Sequence, residues 1–175
     1  MNENTPSEIL AQFQAKYDWL KQQVQTLEGA IEPGVYKIPD GGWQCNYNGA
    51  WGYGCAITLR PGDAELHEAH GEICKRWYRE GGAYDETGER GWLGYPISDE
   101  EVYDGDGDPA DRISHFENGD IVWSEKTKET RIINIKDRST WYENRRNELL
   151  GLLNDATALD IPGKYAYSEL QRREG

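Results

Sequence analysis

The sequence predicts an α+β protein: a small antiparallel β-module held between an N-terminal and a C-terminal helix. Three observations carry that expectation. Apolar residues from Leu10 to Leu27 recur at helical spacing. The middle of the chain breaks into short β-branched and aromatic runs between glycines, of which the chain has 20. A capping-box spacing from Thr140 to Glu143 then opens a second helical pattern. The expected organisation is 1–30 as an amphipathic helix, 31–138 as the β-rich module and 139–175 as a helical segment.

Pro6-Ser7-Glu8 starts the first helix, with Ser7 as the cap and Glu8 at the positive end of the dipole. Leu10, Phe13, Tyr17, Leu20, Val24 and Leu27 form one seam, and Gly29 is placed to end the helix in the left-handed region. Six apolar side chains require a cover. Packing within the chain, on its own β-module by this one apolar stripe or under the Leu149 to Leu153 face, is favoured over a coiled coil with a second copy. Open sheet edges add to the case for a partner. Strands are expected at Val35–Ile38, Trp43–Tyr47 and Gly54–Leu59, followed by a helix from about Ala64 to Arg79.

The centre of the chain is Gly91-Trp92-Leu93-Gly94-Tyr95-Pro96-Ile97-Ser98-Asp99-Glu100, followed by Phe116 and the strand Gly119-Asp120-Ile121-Val122-Trp123-Ser124. Two glycines, an aromatic and a proline without helical period read as a buried aromatic turn. Tyr95 precedes a proline and is pushed to extended angles, so Gly94 is expected to take the special dihedral. Asn118-Gly119 is expected to turn the chain with a positive φ. Leu93-Gly94-Tyr95-Pro96 with Ser98-Asp99-Glu100, and Phe116 with Gly119 to Trp123, resemble the LGFP repeat, a module of actinobacterial cell-envelope proteins. Ile73 and Trp77 to Gly81-Gly82 resemble the short helix that this family ends in Gly-Gly. The resemblance implies a non-catalytic binding module, thought in the family to hold envelope glycan.

An offset of 64 residues lays Ile57 on Ile121, Trp77 on Trp141 and Tyr78 on Tyr142. The β-module is therefore expected to contain two LGFP-like units, the second continuing with a strand at Arg131–Ile135 and a helix to about Asn154. Thr157 to Gly163 reads as a break. The charged helix start at Ser168–Glu174 is either a frayed end or the beginning of more chain.

A net charge of −13 on 175 residues repels phosphate, which argues against nucleic acid and anionic membrane as ligands. The N-terminus lacks a cationic and an apolar signal region, and no apolar run is long enough to span a bilayer. The expected location is cytoplasmic, or the cell envelope if a signal has been removed. Cys45, Cys55 and Cys74, odd in number and irregular in spacing, fit reduced thiols better than a disulfide framework.

Catalytic signatures are missing: there is no triad order, nucleophile elbow, phosphate loop or dinucleotide fingerprint. Cofactors and metals are not expected. His67, His70 and Cys74 share a face if helical, but no Cys-x-x-Cys completes a zinc set. Asp104 to Asp111 resembles the start of a calcium loop, but Pro109 and His115 stand where glycine and glutamate are required, so a solvated acidic loop is the better reading. What remains is an aromatic, acidic surface. Seven Trp and eleven Tyr are many for a small core, although Trp123 itself reads as core. Trp43, Trp51, Trp92 and Tyr95, beside Asp99 and Glu100, are the candidate ligand-binding residues. Asp99 and Glu100 are also expected to bond backbone amides of the aromatic turn. The expected partner is a protein or a second copy, docking through this surface or the N-terminal helix; a glycan is the alternative.

Overall fold

The computed structural model describes residues 5–49, 52–105 and 107–134, together with Asn147, Leu150 and Gly151. The chain divides into two compact units, Met1–Ile132 and Ile133–Gly175. The described elements lie almost wholly in the first. The C-terminal helix expected over 140–154 falls outside the described residues, except that Asn147, Leu150 and Gly151 are helical.

Helix α1 spans Ser7–Gln23, with Pro6 rather than Ser7 at the N-cap position and no side-chain cap. It ends a turn earlier than expected. Val24 still donates to Leu20 O at 2.8 Å, and the chain then becomes strand β1, Leu27–Ala30, which pairs with β3, Trp43–Gly49. Leu27 keeps the heptad spacing and is fully buried, but as a strand residue. Sheet pairing overrode a helical pattern that local spacing alone could not terminate.

The first sheet also holds β2, Tyr36–Lys37, the long β4, Gly52–Leu59, and β5, His67–His70. Its order is β1-β3-β4-β5, with β2 also pairing β3. Helix α2 is Gly71–Arg79. It is shorter than expected because His67–His70 extend along β4, with Cys55 opposite His70 and Ile57 opposite Glu68. His67 and His70 therefore do not share a helical face with Cys74, and no described group of three such residues is arranged to hold a metal. The helix ends as the resemblance implied. Gly82 N donates to Trp77 O at 3.0 Å and Gly81 N to Tyr78 O at 3.0 Å, with both glycines at positive φ.

The two faces of this sheet follow from strand alternation. Cys45, Tyr47, Cys55, Ile57 and Leu59 face α1, where Phe13 and Leu20 are buried and Tyr17 stacks on Tyr47 at 4.8 Å. The helix seam is thus covered by the first sheet of its own chain. Packing within the chain holds, with the sheet as the cover. Ala56 and Ala69 face α2, and their small side chains let Ile73, Cys74 and Trp77 sit close. On that face Gln44 donates to Asn46 Oδ1 (2.8 Å) and Tyr78 OH (3.2 Å), and Tyr78 OH also donates to Asn46 Oδ1.

Side chains cap the outer strands. Lys21 Nζ reaches the carbonyls of Gln25 and Leu27, Tyr17 OH donates to Glu28 O at 3.1 Å, and Asp99 Oδ1 accepts from Glu68 N at 3.1 Å. The edges expected to invite pairing are thus partly occupied.

The second sheet has the order β6-β7-β8-β9, formed by Glu101–Val102, Arg112–Phe116, Gly119–Trp123 and Thr130–Asn134. A hairpin followed by a third strand thus occurs twice, as β3-β4-β5 and β7-β8-β9. Ile57 and Ile121 fall on β4 and β8, but they pack in different clusters, the first towards α1 and the second towards α2. The acidic loop is tied to its own backbone: Asp108 Oδ1 accepts from Ala110 N at 2.9 Å, and buried Asp111 accepts from Glu125 N at 2.9 Å.

Candidate binding site

The aromatic turn organises the second half of the unit. Gly94 has φ +75°, as the constraint from Pro96 predicts. Its carbonyl accepts the indole N–H of buried Trp77 at 2.9 Å. Tyr95 N donates to Glu117 Oε2 at 2.9 Å, Glu117 N to Tyr95 O at 3.1 Å and Asn118 N to Leu93 O at 3.0 Å. The β7–β8 turn therefore braces the aromatic turn. Neither Asn118 nor Gly119 takes a positive φ, contrary to expectation; Asn118 instead supplies one of these cross-links. The carboxylate that bonds the aromatic turn is that of Glu117, held in turn by Arg90 at 2.5 Å and Arg60 at 3.4 Å. Asp99 and Glu100 do not serve there.

Asp99 and Glu100 instead fasten the segment after the turn to β5. Asp99 accepts from Glu68 N and from Lys16 Nζ at 2.5 Å, while Glu100 N donates to Glu68 Oε1 at 3.0 Å. Burial would raise the Asp99 carboxyl, but His67, Lys16 and the Glu68 amide outweigh it and hold it below the usual range. The Glu100 carboxylate lies 3.2 Å from His70 Nε2 and 3.8 Å from Arg112 Nε. Burial, only partly offset by His70, pushes Glu100 up to about 7. Burial works against a charged His70, but the Glu68 carboxylate 2.7 Å from its Nδ1, together with Glu100, raises it to about 9.

This cluster forms one wall of an open cleft of about 550 Å³. The first turn of α2 forms another wall, and Arg112, Trp123, Glu125 and Lys128 complete it. The Lys128 ammonium sits 5.3 Å from the centre of the Trp123 ring and pairs with Glu125. The indole N–H of Trp123 is buried without a hydrogen-bond acceptor. Trp123, expected in the core, is half-buried. It packs against the core on one side and lines the cleft on the other.

The other candidate residues do not form one surface. Tyr95 is 0% exposed and its hydroxyl donates to Asp40 at 2.6 Å, so it belongs to the core. Trp43 is half-buried on β3 against the α1 cluster, with Lys37 over its ring at 5.7 Å. Trp51 lies outside the described residues. Trp92 is 45% exposed and stands in the aromatic turn, with its N–H on Glu80 Oε2 at 2.8 Å and its carbonyl on Asn118 Nδ2 at 2.9 Å. Of the five that are described, only Asp99 and Glu100 are adjacent. Sequence reasoning missed Glu68, Arg112 and Lys128 and weighed His70 only as a zinc ligand; the one available signal was a glutamate set between two histidines in a run expected to be helical.

Two helices and two antiparallel sheets, with the aromatic turn braced by the β7–β8 hairpin, define a small α+β module. Residues 93–146 match the family model of the LGFP repeat. That match suggests a cell-envelope-associated repeat module. No curated protein matches the chain.

Proposed function

We propose that the protein is a non-catalytic binding module that recognises a protein partner through the surface around Trp92. The observation that carries this reading is the state of that side chain. The residue is 45% exposed, yet its N–H is fixed by Glu80 and its backbone by Asn118. The bond from Trp92, with help from Arg76, holds the Glu80 carboxyl below its ordinary range, so the acceptor stays ionised. An exposed aromatic that is already immobilised loses little freedom on association, which is how tryptophan anchors an interface. Self-association through α1 has less support, because the apolar seam already packs on the first sheet.

A glycan is the second reading, favoured by the match of residues 93–146 to a cell-envelope-associated repeat. A flat indole with a carboxylate at its rim suits a sugar face and its hydroxyls. Two measurements decide between them: photo-crosslinking from a benzophenone residue placed at Arg90, and retention on an array of envelope glycans, each repeated with Trp92→Ala. A discrete protein adduct that Trp92→Ala abolishes is the expected result. Glycan retention lost in Trp92→Ala moves the ligand to the second reading. Binding of either kind that is indifferent to Trp92→Ala overturns both.

A further inference from the structure

We infer that the cleft between α2 and the second sheet receives a lysine side chain from a basic polypeptide, and that Lys128 holds that place in the free protein. The geometry is that of an alkylammonium site. The Lys128 ammonium lies 5.3 Å from the centre of the Trp123 ring, and the Glu125 carboxylate pairs with it. An aromatic face plus a carboxylate is the combination that recognises an ammonium on an aliphatic stem. Here the chain supplies both the site and an occupant.

The occupant is loosely kept. The Lys128 side chain is 63% exposed, so its pairing with Glu125 is a surface ion pair of little strength. The backbone offers no reason for lysine at this position. Lys128 has φ 59°, the only positive φ of a non-glycine residue among the described residues. A turn closed by Lys128 N donating to Ser124 O at 2.8 Å would accept asparagine or glycine there with less strain. What lysine adds is the ammonium over the ring.

The other charges of the cleft are matched among themselves. His70 pairs with Glu68 and Glu100, Glu100 also faces Arg112, and Glu72 pairs with Lys75 at 2.8 Å. When Lys128 swings out, the group left without a partner is Glu125, which stands beside the vacated ring. The cleft of about 550 Å³ exceeds what one ammonium fills, so an incoming side chain can bring part of its own backbone. A net charge of −13 draws a basic chain towards this surface and repels an acidic one. Trp92 takes no part in this site.

The test is a titration of the full chain with Nα-acetyl-lysine amide and with its norleucine analogue, read at the Trp123 indole N–H cross-peak by NMR. Lys128→Asn, which tolerates the left-handed backbone, removes the internal competitor and is expected to bind the lysine probe about tenfold more tightly than wild type. Lys128→Gly is expected to behave in the same way, which guards against an effect of one variant on the turn. Adding Glu125→Gln to either variant is expected to abolish the gain, and the norleucine analogue is expected to leave the cross-peak in place. Trp92→Ala is expected to bind the probe as wild type does, which separates this site from the surface proposed above. Variants at Lys128 that bind no more tightly than wild type, or a norleucine analogue that binds as well as lysine, overturn the inference.

Discussion

The face of the first sheet that meets α1 and the face that meets α2 enclose cores of similar size by different means. Towards α1, Phe13, Leu20, Tyr47, Ile57 and Leu59 interdigitate as bulky apolar groups, and shape and volume are what matter. Towards α2, small residues admit the helix, and the closure is directional: a Trp77 N–H on Gly94 O, a Gln44–Asn46–Tyr78 network, and a glycine turn resting on Glu117. The α1 face should therefore tolerate exchange at constant volume, whereas the α2 face should reject changes that keep volume and alter geometry.

The largest effect expected is on the first face. Phe13→Ala should cost about 3–5 kcal/mol and Phe13→Leu less than about 1.5 kcal/mol, measured by urea unfolding with unchanged slope. A Phe13→Leu variant as unstable as Phe13→Ala would erase the contrast. On the second face, Gly94→Val should cost about 2–3 kcal/mol despite adding only apolar atoms, because φ +75° disfavours any Cβ and the new group would run into Glu117. An unchanged midpoint would show that the turn yields.

The smallest effect sharpens the comparison where the charged segment meets β5. His70 is raised from 6.5 to about 9 and Glu100 from 4.5 to about 7. A raised histidine contributes stability that is complete below pH 6.5 and is lost as pH rises through 9. A raised carboxyl favours its neutral form, so its contribution is complete below pH 4.5 and is lost as pH rises through 7. Both therefore weaken the fold with rising pH. Wild type should lose on the order of 1–2 kcal/mol relative to His70→Gln between pH 6.5 and 9, and relative to Glu100→Gln between pH 4.5 and 7. Parallel stability curves for wild type and variants would remove these groups from the account.

What could be read in advance follows the range of the interactions. The α1 seam and the dihedral at Gly94 are local: one is a spacing, the other a steric consequence of Pro96, and both are present in the structure. The end of α1 and the strand at His67–His70 were misread because helix-compatible residues were drawn into a sheet by β3 and β4, partners distant in sequence. Tyr95 looked like a ligand platform because an aromatic beside a proline carries no mark of burial. Its buried state depends on Asp40, 55 residues away. Glu117 bonds the turn in place of Asp99 for the same reason, since only the β7–β8 hairpin brings it there. The three cysteines are free and buried as small apolar residues, so packing accounts for them without appeal to a compartment.

The bond from Trp77 to Gly94 also bears on what counts as one copy of the repeat. The segment that matches the family starts at Leu93, but Leu93, Tyr95, Phe116 and Ile121 share a single cluster with Ala56, Ile73 and Trp77, which lie upstream of it. The hereditary unit and the cooperative unit are out of phase. A segment cut at the sequence boundary would carry the lid of a core whose base lies upstream, and the upstream segment would keep a base without its lid. The matched segment completes the segment before it, as a keystone belongs to the arch it closes.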